Sequence, residues 1–246
     1  MDLLSNLITS FDPENPNFRP TELYNESWLV KLVIREASKI SDSEFPIGFL
    51  PASDWFSEAL LPSAFAARYQ GDPLSESRTN ADGVVGHITI GRQAKADLEL
   101  DKDVAQFTVV EAKVGSPLSA GTSNAKYFDQ AARNVACMAE VVARSGANQS
   151  NISRLDFVVL APQSSIDKGT FSEEISPSSI RSKVERRVAE YEGQLDEWFA
   201  ETFNPTMDRI KLYSLSWEES IDWIGERAPD VVDELSEFYG LCLDFS

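Results

Sequence analysis

Cysteine, histidine and basic residues are the scarce types in this chain of 246 residues. Its two cysteines, Cys137 and Cys242, are too few for a disulfide framework or a cysteine-based zinc site, and they point to a reducing compartment. His87 is the one histidine, which excludes a metal centre built from several imidazoles. A Ser-His-Asp triad would have to recruit it, and no Gly-x-Ser-x-Gly string accompanies it. The glycine-containing stretch 115–121 lacks the Gly-Lys-Ser/Thr end of a phosphate-binding loop. The N-terminal residues lack the basic region and long apolar stretch of a signal peptide, and no apolar run approaches the ~20 residues that cross a bilayer. The expectation is a soluble, cytoplasmic protein with no membrane partner. Lysine and arginine number 22 against 40 acids, a formal net charge of −18. That excludes a generic basic coat for nucleic acid.

The acid is unevenly spread. Residues 173–246 hold 18 acidic and 7 basic side chains, whereas residues 78–144 hold 8 of each. The middle of the chain is therefore free to approach a polyanion, and the C-terminal third reads as an exposed acidic helical surface.

What is present is an alternation of helical and strand patterns. Residues 1–20 read as a loose lead-in. A helix begins near Thr21 or Asn25, with Trp28, Leu29, Leu32, Val33 and Ala37 at helical spacing. Residues 52–69 read as an aromatic-rich helical piece broken by Pro62, and 70–80 as a surface connection. Strand patterns follow at 84–90, 96–100 and 106–114. A long helix over 124–143 buries Phe128, Ala131, Ala132, Val135, Met138, Ala139 and Val142. A strand at 155–160, a helix over 178–203, a strand at 210–215 and an acidic helical tail from Glu218 complete the order. The five tryptophans read as packing residues. The sum is an α/β fold with a mixed central sheet covered on both faces, one domain over 1–246 with a core at 21–162 and an acidic, mostly helical elaboration at 163–246.

The sharpest chemical feature lies in Val109-Val110-Glu111-Ala112-Lys113-Val114. A strand built to be buried carries no charge until it ends, yet here Glu111 and Lys113 stand two apart and share a face. Asp97 lies 14 residues earlier in an adjacent strand pattern, so a hairpin through 101–103 brings it beside Glu111. Two carboxylates and an ammonium on one sheet face can hold Mg²⁺ and orient a water. On the following helix Gln130 and Asn134 are four apart and share a face, and Arg133 is placed to reach a phosphate.

Asp97, then Glu111-Ala112-Lys113 after a hairpin, then a helix carrying Gln130, resembles the PD-(D/E)XK nuclease superfamily, which has a restriction-endonuclease-like core. The resemblance covers about 21–162 and rests on the order and spacing of short motifs. It implies that Asp97 and Glu111 bind Mg²⁺ or Mn²⁺, with the Ala112 carbonyl as a third ligand. It also implies that Lys113 orients the attacking water, that Gln130 assists, and that Glu26 on the first helix completes the shell, with Glu36 fitting less well. Ala96 stands where the family name leads one to expect proline. Asp82 is a rival acid; its neighbour Gly83 suggests a turn, so Asp97 is preferred.

Two functions follow. One is a Mg²⁺-dependent nuclease acting on nucleic acid, DNA ahead of RNA, with a protein partner or a homodimer in reserve. The other is a non-catalytic acidic interaction protein on the same fold. The charge of −18 favours the second, and the Asp97, Glu111, Lys113 and Gln130 set favours the first.

Overall fold

The computed structural model describes residues 19–40, 45, 47–76, 78–91, 96–122 and 124–246. The lead-in of the sequence reading thus falls largely outside the described residues. The first long helix, α1 (Glu26–Ser38), starts where the Asn25 side chain accepts a hydrogen bond from the Trp28 amide at 3.1 Å. That cap satisfies one of the amides left without a partner in the first turn. Leu29, Val30, Val33, Ile34 and Ala37 form its buried stripe.

The chain then makes β1 (Asp54–Leu61) and β2 (Thr79–Gly86), paired antiparallel. Residues 52–69 were expected to be helical, and this is the largest correction to the sequence reading. Apolar residues at 55, 56, 59, 60 and 61 suit either period over so short a run, so long-range pairing with β2 decides. The strand is irregular: Glu58 has φ +58°, and Phe56 and Ala59, three apart, pack into the same cluster. Regular alternation would place them on opposite faces.

β2 starts five residues before the expected strand and runs straight through Asp82-Gly83. A Cβ on Gly83 would lie 2.5 Å from Ile34 Cδ1, so this glycine admits α1 close to the sheet rather than making a turn. Gly86, at φ +155°, precedes the bend at His87, and only glycine fits there, because a side chain would collide with the Gln106 carbonyl. Beyond it β3 (Ile88–Ile90) pairs antiparallel with β4 (Leu98–Leu100) in a separate two-stranded sheet.

β5 (Gln106–Ala112) returns beside β2 antiparallel, and every one of its residues is buried. The expected strand at 106–114 ends two residues early. Asp129 caps α2 (Gln130–Ser145), so this helix begins six residues after the expected start. β6 (Arg154–Ala161) and β7 (Lys211–Ser216) extend the sheet in parallel, giving the order β1-β2-β5-β6-β7. Between them α3 (Pro177–Ala189) ends where expected helix gives way to turns and then to short helical segments over 196–207. Finally α4 (Trp217–Arg227) and α5 (Pro229–Asp244) close the chain.

The protein is therefore α/β with a mixed five-stranded central sheet flanked by helices on both faces. Phe107, Val109, Phe157 and Val159 face α2 and α3. Val85, Val110, Val158, Leu160 and Leu215 face α1, α4 and α5. Fully burying one such side chain stabilises the fold by ~1.5–3 kcal/mol. Among the described residues no helix is long and apolar enough to cross a membrane.

One buried charge opposes this packing. Asp156, 3 % exposed, has an Oδ1 with no hydrogen-bond partner, and Arg154 Nε stands 3.9 Å from its other oxygen. Burial pushes its carboxyl up to about 6, with Arg154 and Lys211 acting in the opposite direction. A carboxyl raised in the folded state binds its proton more tightly there than in the unfolded chain. Its contribution to stability is therefore lost as pH rises through about 6. Asp156→Asn is expected to raise unfolding stability at pH 8 by ~1–2 kcal/mol and to leave it nearly unchanged at pH 4. Urea titrations at both pH values check this, and a loss of stability at pH 8 would refute it.

Candidate active site

The site is built where β2 and β5 part. Their ladder runs from Gly86↔Phe107 to Gly83↔Val110 and stops. Asp82, next in line, instead accepts the Ala112 amide on its Oδ2 at 2.8 Å. This bond fixes the aspartate against the end of β5, beside Glu111.

Glu111 is completely buried, and both its oxygens accept hydrogen bonds. Its Oε1 accepts from Lys113 Nζ at 2.7 Å and from Gln130 Nε2, and its Oε2 accepts from Asn134 Nδ2 at 3.0 Å. Gln130 is itself oriented: its Oε1 accepts the Ser119 amide at 3.0 Å, which turns its nitrogen toward Glu111. Gln130 and Asn134 reach the same carboxylate because four residues bring helix side chains back to one face.

Electrostatics set the protonation states. Burial is the main force raising the Glu111 carboxyl, to about 8, and the Asp82 carboxylate adds to it; the Lys113 ammonium pulls the other way. Glu26, in the first turn of α1, is also raised, chiefly by burial and then by Asp82, while Lys113 and the Val114 amide lower it. Burial pulls Lys113 down, but Glu111, Asp82 and Glu26 together outweigh it, and the ammonium is held above its ordinary range. The cluster is thus one buried cation among three carboxyl groups.

The structure brings together Glu26, Glu111, Lys113 and Gln130 of the residues singled out from sequence, with Ala112 buried between two of them. Asp97 is a correction. Its expected hairpin neighbour was Glu111, but β4 pairs with β3, and Asp97 makes a lone bridge with Leu60 of β1. There it lines a cleft with Pro62, Glu99 and Arg144. The cause is the bend that follows Gly86, which carries the β3–β4 ribbon away from β5. Asp82, the rival acid, occupies the position beside Glu111. Glu36 pairs with Lys39 at the far end of α1. Arg133 has a buried Nε without a hydrogen-bond partner and interacts electrostatically with Glu76.

Asn134 was recognised as sharing a face with Gln130; its bond to Glu111 had no sequence signal beyond that four-residue spacing. Among the described residues no three His, Cys, Asp or Glu side chains are gathered so as to hold a metal by themselves. A cation here would rest on Asp82 and Glu111, completed by backbone oxygen and water. Comparison with protein-family models, with curated proteins and with solved structures finds no match.

Proposed function

We propose that this protein is a divalent-metal-dependent nuclease of the PD-(D/E)XK type, hydrolysing phosphodiester bonds of nucleic acid, DNA ahead of RNA. The observation that carries the reading is the convergence of Asp82, Glu111 and Lys113 at the divergence of two antiparallel strands. The strand sequence supports it: three antiparallel strands, a covering helix, then a parallel strand, with Glu26 contributed by the helix that precedes them. That order is compatible with a restriction-endonuclease-like core.

The donor set suits a hard cation. Asp82 and Glu111 offer carboxylate oxygens, and Mg²⁺ takes one or two of these with waters and substrate phosphate. Without a cation, burial first and the Asp82 carboxylate second keep Glu111 protonated up to about pH 8; a divalent cation would oppose both by stabilising the carboxylate form. Asp82, Glu111 and the Ala112 carbonyl would hold the ion, and Mn²⁺ would serve in place of Mg²⁺. The ion would supply Lewis acidity toward the phosphate and a lowered pKa for bound water. Lys113 stays protonated beside the two acids, so it donates: it orients the water and offers positive charge to the phosphate oxygens as they gain charge. Gln130 holds Glu111 and the loop at Ser119 in one arrangement.

Lys113→Ala is expected to leave metal affinity within about threefold and to abolish turnover, because an ammonium is no ligand to a cation but is needed for charge stabilisation. Gln130→Ala should cost far less than loss of either carboxylate. Calorimetric Mn²⁺ titration alongside a cleavage assay separates these outcomes. The governing experiment is cleavage of mixed DNA and RNA at low salt with Mn²⁺, wild type against Glu111→Ala. Low salt preserves the contacts between substrate phosphates and the chain's few cationic groups, which added salt weakens. Cleavage by wild type alone supports the reading, and equal cleavage by both ends it. No cleavage by either transfers the case to a non-catalytic acidic interaction protein.

A further inference from the structure

The C-terminal third, outside the segment that resembles the nuclease core, reaches the backbone of Lys113 through a hydrogen bond. β5 ends at Ala112, so the backbone of Lys113 has left the regular ladder. Its amide still donates to the Leu160 carbonyl of β6 at 2.8 Å. Its carbonyl accepts from the indole Nε1 of Trp217, also at 2.8 Å, across 104 residues of sequence. Trp217 is completely buried and is the first residue of α4, directly after β7. Because β5, β6 and β7 run parallel, with Ala112 beside Leu160 and Leu160 beside Leu215, the end of β7 lies at the same sheet edge as Lys113. The indole spans β6 to reach it.

We infer that Trp217 is a positioning residue for Lys113, an inference that rests on the nuclease reading. With both backbone groups of Lys113 tied, one to β6 and one to α4, rotation of its peptide planes is blocked. The Cα–Cβ direction is thereby set, and the side chain starts from a fixed point toward Glu111, where its ammonium is bonded. Trp217 itself is held in place: Ser216 caps α4 by accepting the Glu219 amide at 3.0 Å, and the indole packs near Tyr239 of α5. The acidic C-terminal helices are in this way part of the catalytic apparatus without supplying a reacting group.

The test uses Trp217→Phe, which keeps an aromatic ring and removes the N–H donor, with Ile221→Val in the same buried cluster as a packing control. Two readouts are taken: kcat and the KM for Mn²⁺ in the cleavage assay, and reductive methylation of Lys113 followed by mass spectrometry. Trp217→Phe is expected to lower kcat by about 10–100-fold with the metal KM nearly unchanged, since small misplacements of a catalytic group have effects of this size. It should also expose Lys113, protected in wild type, to methylation. Ile221→Val should do neither. Unchanged methylation, an unchanged kcat, or equal effects in the control would overturn the inference. Increased methylation together with a wild type that cleaves nothing would uphold the positioning role and refute the nuclease. If Trp217→Phe does not fold, replacing Trp217 by the isosteric benzothienylalanine removes only the N–H and gives the same readouts.

Discussion

Asp82→Ala is expected to abolish metal-dependent cleavage, while Asp97→Ala leaves it close to wild type. Asp82 is bound to the Ala112 amide and lies beside Glu111, whereas Asp97, just before β4, bridges to Leu60 of β1 and lines a separate cleft. Lewis-acid stabilisation by a bound cation amounts to several kcal/mol, so its loss corresponds to a fall of about 10³-fold or more in kcat/KM. The same change should lower the heat of Mn²⁺ binding to background. Asp82→Asn is the stricter comparison. Its amide can keep an oxygen toward the Ala112 amide and preserve the fold, but it lacks the charge that attracts the ion. Strong cleavage by either Asp82 variant, or loss of cleavage in Asp97→Ala alone, would show that the wrong acid has been assigned.

The second large effect is on stability and has a definite sign. Glu111 is raised from 4.5 to about 8, chiefly by burial and then by Asp82, with Lys113 opposing and Glu26 raising Lys113 in turn. A carboxyl whose pKa is raised on folding binds more protons in the folded state. Its stabilising contribution is therefore full below about 4.5 and is lost as pH climbs to about 8. At pH 8.5 the metal-free protein carries the whole cost of ionising Glu111 beside Asp82. Glu111→Gln removes that cost and is expected to stabilise the metal-free protein there by ~3 kcal/mol, a rise of roughly 6–12 °C in Tm for a domain of this size. At pH 4.5 the difference should vanish. Mn²⁺ should raise the Tm of wild type at pH 8.5 and leave that of Glu111→Gln unchanged. Differential scanning calorimetry with and without Mn²⁺ measures all of this. A destabilised Glu111→Gln at pH 8.5 would mean that the carboxylate is well solvated by its donors and that burial does not govern its charge.

Much of this site is local in origin, and the rest is not. Glu111 and Lys113 share a face because side chains alternate along a strand. Gln130 and Asn134 share one because helix residues four apart are neighbours, and Asn25 starts its helix by capping. These follow from the amino-acid order alone, as do the apolar strands β5 and β6 and the conclusion that a charged pair at the end of β5 is unusual. Which acid meets Glu111 is a different kind of question. Asp97 and Asp82 are both within reach along the chain, and the choice is made by strand pairing: Gly83 allows α1 to pack on β2, and the bend that follows Gly86 carries the next ribbon aside. Residues 52–69 show the same limit, since their apolar spacing fits two periods and only the partner strand selects one. Trp217 is the extreme case. Its bond to Lys113 spans the parallel strands β5, β6 and β7, and nothing near residue 113 announces it. Short-range periodicity writes faces and caps into the sequence, while contacts between distant segments exist only once the sheet has closed.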